Sequence, residues 1–209
     1  TGVHALGQIF HFDTDVDRPI NSLIKGINSF LPNEIRIKWI VRVSNDFHAR
    51  FSATARTYRY VIYNNDVRPG ILRHAVGWYH RTLDTDKMQA AANLLIGNHD
   101  FSAFRGAGCQ AKNPVRNLQS FTVERRGKMI IVEVKANAFL LHMVRNLVGV
   151  LLSVGTGAKP AHWVSEVLES KDRREASVTF SPNGLYLVAV DYPQLFDLPD
   201  NSNGPFFLS

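Results

Sequence analysis

The sequence predicts an α+β fold with a largely antiparallel sheet, and three observations predict it. Segments with period-two alternation are interspersed with helical segments, but not in the regular strand-helix-strand order of a parallel sheet. Two of the strands, "QSFTVERR" and "MIIVEVKAN", meet across Gly127 as a hairpin. The chain has 209 residues, 45% of them apolar and 20% charged, enough to build a hydrophobic core and too apolar for disorder.

Taken in order, "LGQIFHFD" alternates and reads as a strand. "RPINSLIKGINSFL" is an amphipathic helix with Pro19 near its first turn. "EIRIKWIVRV" alternates again, as does "SATARTYRYVIYN", whose Tyr, Val and Ile suit a pleated surface. "RPG" at 68–70 is a turn. "DTDKMQAAANLLIG" is a helix with an acidic start and Gly97 as its C-cap. After a glycine-marked loop, "FRGAGCQAKNPVRN", come the hairpin and the helix "AFLLHMVRNLVGVLLSVG". A shorter helix in "PAHWVSEVLES" and the strand "GLYLVAVDY" complete the chain. Two halves are expected, residues 1–105 and 106–209.

The totals narrow the function classes. A net charge of +6 points to a polyanionic partner, because Lys and Arg displace counterions from phosphate backbones. One cysteine, Cys109, excludes an intrachain disulfide and fits a reducing compartment. No apolar run reaches the roughly 18 residues of a membrane span, and the first residues lack a secretory pattern, so a cytoplasmic protein is expected. The scattered histidines form no metal motif, and "RGAGCQAK" lacks the P-loop spacing. Cys109 as a hydrolase nucleophile is a weak third option without a local signature.

Two segments carry candidate chemistry. The helix from residue 138 is apolar on nearly every side, yet Arg145 sits in its middle. An arginine keeps its charge, and a buried one whose partner is removed costs about 3–5 kcal/mol. Arg145 therefore requires a carboxylate or a phosphate; Glu133 on the preceding strand is one available partner. The second segment, "HARFSATARTYRY", interleaves His48, Arg50, Arg56 and Arg59 with Phe51, Tyr58 and Tyr60. That pattern suits RNA, whose bases stack on rings and whose phosphates pair with guanidinium groups, but it also suits a sheet with aromatic cross-strand pairs. Alternation puts Tyr58, Tyr60 and Ile62 on one face and Arg59, Val61 and Tyr63 on the other. Charge and loop position make His4, Arg50, Lys112 and Arg116 candidates for contact with RNA.

Together "TGVHALGQ", "FHARFSATARTYRYVIYN", "DFSAF", "VRN" at 115–117, "NAFLLHMVRNLVGVLL", "GLYLVAVDYP" and the tail "GPFFLS" resemble the tRNA pseudouridine synthase A family in order and spacing. The resemblance runs from Thr1 to the end of the chain. It implies the pseudouridine synthase fold, two α+β halves joined along a central catalytic cleft, in homodimers that hold a tRNA anticodon arm across both subunits. It implies isomerisation of uridine to pseudouridine at tRNA positions 38, 39 and 40, with no cofactor and no metal. The family motif G-R-T-D-x-G-V-H-A places Thr1 at x, so the catalytic aspartate would stand immediately before Thr1. The expectation is that the 209 residues alone are inactive. A catalytically silent RNA-binding module is the alternative. By the same resemblance Arg145 is the partner of that aspartate, Tyr58 lies against the target base and serves the C5 proton, and Leu185, after Gly184, is an apolar wall of the pocket.

Overall fold

In the computed structural model, which describes residues 2–199, 204, 205 and 207, seven strands form one sheet. Its strands are β1 (His4–Ala5), β2 (Ala55–Asn64), β3 (Gly77–Tyr79), β4 (Gly97–Asp100), β5 (Val115–Arg126), β6 (Met129–Ala136) and β7 (Leu185–Asp191). The order is β1-β7-β2-β6-β5-β4, with β3 also on β2. Only the β1–β7 and β2–β3 pairings are parallel, so the α+β class with a mostly antiparallel sheet stands.

The chain divides into two units. The first comprises Thr1–Gln8, Thr54–Asp191 and Asn201–Ser209 and holds the whole sheet; the second comprises Ile9–Ala53 and Tyr192–Asp200. In the first unit the sheet separates two apolar clusters. Tyr60, Ile62, Val132, Val134 and Leu185 share one with the helices α2 (Thr85–Asn93), α3 (Met143–Gly155) and α4 (Trp163–Ser170). Val61, Val76, Tyr186 and Val188 form the other. The period of two along β2 thus sorts Tyr60 and Ile62 from Val61, as the alternation predicts. In the second unit, Phe47 packs against Tyr192 and Phe196, with ring centroids 5.2 and 5.1 Å away, and the Tyr192 hydroxyl donates to Ala49 O at 2.6 Å. Its helix α1 (Ile20–Phe30) starts after Pro19 and has no buried residue.

Local chemistry sets several boundaries. Gly127 has φ 59°, the left-handed conformation a two-residue hairpin loop requires, and Arg126 pairs with Met129 across it. Asp84 caps α2 by accepting from the Asp86 and Lys87 N–H groups, both at 3.1 Å.

Four sequence expectations are corrected. The first strand is only His4–Ala5: the Leu6 and Gly7 N–H groups both turn to Leu187 O, and 6–13 carries no strand. Residues 34–43 alternate but form no ladder, because alternation supplies a face and not a hydrogen-bonding neighbour. Gly97 does not cap α2, which ends at Asn93; with φ 116° it opens β4, a strand whose residues Gly-Asn-His-Asp have low strand propensity. The long helix begins at Met143 and not near 138, because His142 at φ 60° interrupts helical geometry. Thr1 and most of the tail "GPFFLS" lie outside the described residues.

Candidate active site

Arg145 lies in the first half of α3, a helix buried on almost every side. Its Nε donates to Phe180 O at 2.6 Å, and the Phe180 N–H donates back to Arg145 O at 3.3 Å. Desolvation pulls the guanidinium pKa down, and the neighbouring Tyr60 opposes that shift. Among the described residues no carboxylate lies within ion-pairing distance of it. Glu133 is not its partner. The β2–β6 register sets Glu133 directly opposite Arg59, which donates to its carboxylate at 2.9 Å. Cross-strand geometry has claimed the carboxylate that linear proximity offered to Arg145.

Tyr58 and Leu185 reach the same apolar cluster that α3 covers. Tyr58 is half-buried on β2, with its ring edge-on to Phe139 at 5.0 Å and its backbone opposite Leu187. Burial raises its pKa, with Arg56 acting weakly the other way. Leu185 is buried opposite Tyr60, in the same apolar cluster that Tyr58 packs against. Tyr60, which the sequence offers as one more aromatic of the strand, links Arg145 to this wall. It donates to Ser181 O at 2.7 Å, packs its ring 5.4 Å from Phe180, and has a pKa raised strongly by burial against the opposing charge of Arg145. The arrangement combines a fixed cation, two neutral phenols and a leucine wall.

The softer candidates are dispersed. The His4 ring stacks 4.7 Å from Tyr186, and its Nε2 reaches His74 O at 2.8 Å and Asn183 O at 3.1 Å. Arg116 on β5 spends one terminal nitrogen on Asn113 O at 2.8 Å and Val115 O at 2.6 Å. Its buried Nε has no partner among the described residues, and desolvation lowers its pKa. Lys112 is exposed. Arg50 belongs to the second unit, with its guanidinium 5.7 Å from the Phe51 ring centre.

The family model described as tRNA pseudouridine synthase matches residues 91–193, the stretch that contains Arg145 and Leu185. A tRNA pseudouridine synthase A of Coxiella burnetii is 54% identical over 207 residues, covering 99% of this chain and 79% of its own length. Proteins of the same name from Shewanella sp. and Alcanivorax borkumensis are each 52% identical over 99% of this chain, covering 79% and 78% of their lengths. The chain belongs to the tRNA pseudouridine synthase A family.

Two residues near Arg145 in this family member escape a reading by residue type. Asn146 is wholly buried, the next residue along α3, and a polar side chain in so apolar a helix is the signal that could have found it. Phe180 acts through its backbone carbonyl, which no side-chain motif reveals. Cys109, the lone cysteine of the glycine-marked loop, is engaged from several sides. Burial pushes its thiol up, but N–H groups of Leu141 and Ala111 and the Arg105 guanidinium outweigh that and lower the pKa. Its Sγ accepts from Leu141 N–H at 3.4 Å, tying the glycine-marked loop to the approach of α3.

Proposed function

We propose that this protein isomerises uridine to pseudouridine in the anticodon arm of tRNA, acting in the cytoplasm as a homodimer. The observation that carries the reading is Arg145: a half-buried cation, tied at Nε and without a carboxylate among the described residues, in a chain 54% identical to a tRNA pseudouridine synthase A. Relatives named for an isomerase favour turnover over a silent RNA-binding module. No helix among the described residues is long and apolar enough to cross a membrane.

In this reading Arg145 pairs with the aspartate that the family motif places before Thr1 and keeps it ionised. The target nucleotide leaves its stack, at a cost of a few kcal/mol, and the base lies between Tyr58 and the wall of Leu185. The carboxylate acts at the ribose, the N1–C1′ bond breaks, the uracil turns over, and C5 bonds to C1′. C5 then loses its proton to solvent and N1 gains one, so the composition of the nucleotide is unchanged and the reaction is an isomerisation. Burial keeps Tyr58 a neutral phenol at physiological pH. To act as the base at C5, Tyr58 gives its own proton to solvent, and the phenolate oxygen then takes the proton from C5. Lys112, Arg116, His4 and Arg50 supply contacts along the tRNA.

Tritium release from tRNA carrying 5-tritiated uridine tests the assignment, because only loss of the C5 proton liberates the label. The full-length protein is expected to release it. Tyr58→Phe keeps the ring and lowers release by about 10²–10⁴-fold, the usual contribution of a positioned acid–base group. Undiminished release by the variant removes Tyr58 from the proton transfer.

A further inference from the structure

The segment 177–180 is laid along α3 and fastened to it at four successive points. Ser177 Oγ lies 2.7 Å from Ser153 Oγ. Val178 O sits against Gly149 so closely that a Cβ there would overlap it. Thr179 Oγ1 donates to Asn146 Oδ1 at 2.6 Å. The backbones of Phe180 and Arg145 bond to each other, and Phe180 O takes the Arg145 Nε. The run ends at Arg145.

Asn146 is the joint of this arrangement. Its Nδ2 donates to Phe104 O at 2.8 Å, which ties α3 to the 3₁₀ turn Ser102–Phe104. Its Oδ1 accepts from Thr179 and, at 3.1 Å, from Arg173, whose same nitrogen also donates to Thr179 Oγ1 at 3.0 Å. Asn146, Thr179 and Arg173 therefore close a three-membered ring of hydrogen bonds. A wholly buried amide engaged at both its nitrogen and its oxygen has few alternative positions. Because Thr179 immediately precedes Phe180, the ring fixes the carbonyl that orients Arg145.

We infer that Asn146, Thr179 and Arg173 form a positioning device for Arg145, holding Phe180 O so that the two terminal guanidinium nitrogens point at the carboxylate they pair with. The inference rests on the proposed role of Arg145. It assigns no substrate contact to the three residues: they act through Phe180.

The test compares Thr179→Val, Thr179→Ser and Arg145→Lys in the full-length protein, by tritium release across pH and by thermal unfolding. Thr179→Val is close in shape but lacks the hydroxyl. It is expected to lower kcat by about tenfold to a hundredfold, as small misplacements of reacting groups do, with KM for tRNA unchanged. The acidic limb of its kcat–pH profile moves to higher pH, because an aspartate less well paired is more readily protonated. Thr179→Ser restores both. An unchanged kcat and pH limb in Thr179→Val overturns the inference. So does a loss that disappears at temperatures far below the unfolding midpoint, or one that Thr179→Ser shares. Arg145→Lys separates the two levels. Impaired turnover there with a normal Thr179→Val overturns only the positioning, whereas normal turnover in Arg145→Lys overturns both.

Discussion

Three phenols in this protein resist ionisation for the same physical reason, and they give the fold an alkaline limit. Tyr58 and Tyr60 have raised pKa values because burial disfavours the phenolate, and Tyr186 is pushed up to about 12 by the same effect. Tyr186 also donates to Ala75 O at 2.6 Å. In the unfolded chain these groups titrate near their ordinary value of about 10. Above that pH the unfolded state sheds protons that the folded state keeps, so stability is complete below about pH 10 and declines as pH rises towards the folded values. Urea midpoints measured from pH 8 to 11 are expected to be level at first and then to fall. Tyr186→Phe lowers the stability at pH 8 by about 1 kcal/mol for the lost hydrogen bond, and makes the later decline shallower. A decline as steep as that of the parent would exclude Tyr186 as a contributor.

At the scale of elements, the period of two and the turn chemistry made most of the sheet legible. β2, the β5–β6 hairpin and β7 occupy the segments the sequence marks as strands, and Gly127 sits where a tight hairpin needs a positive φ. What escaped reading depends on partners distant in sequence. Residues 34–43 alternate as well as β2 does, yet no ladder forms on them, while Gly97–Asp100 joins the sheet despite poor propensity because β5 lies alongside. The site divides in the same way. Arg145 was legible as a charge in an apolar helix, but the claim of Arg59 on Glu133 follows from register, and the clasp of 177–180 on α3 follows from tertiary packing. That clasp requires glycine at 149, where any side chain meets Val178 O. Gly149→Ala is expected to destabilise the protein by about 1–3 kcal/mol, although alanine is the better helix former. Denaturant unfolding measures the sign: stabilisation by the alanine would mean that 177–180 does not press on the helix.

For the molecule as a whole, the net charge of +6 matters less than which cations remain available to a polyanion. Arg116 and Lys112 are close in sequence but differ in what holds them. Arg116 is partly withdrawn from water, its pKa lowered by desolvation and its terminal nitrogen engaged with Asn113 and Val115 carbonyls. Lys112 is exposed. Each phosphate contact contributes about 0.9 to the log–log dependence of binding on salt for a duplex, and about 0.7 for a single strand. If Lys112 touches the tRNA backbone, Lys112→Ala weakens binding, flattens that dependence by about one such increment, and leaves the thermal midpoint unchanged. Arg116→Ala differs in that it also lowers the thermal midpoint, because it deletes bonds that hold the start of β5. Binding titrations over a range of salt, run beside thermal unfolding, separate the two effects. An unaltered salt slope in Lys112→Ala would place the tRNA elsewhere on the basic surface; an unaltered midpoint in Arg116→Ala would show that its carbonyl contacts do not hold β5 in place.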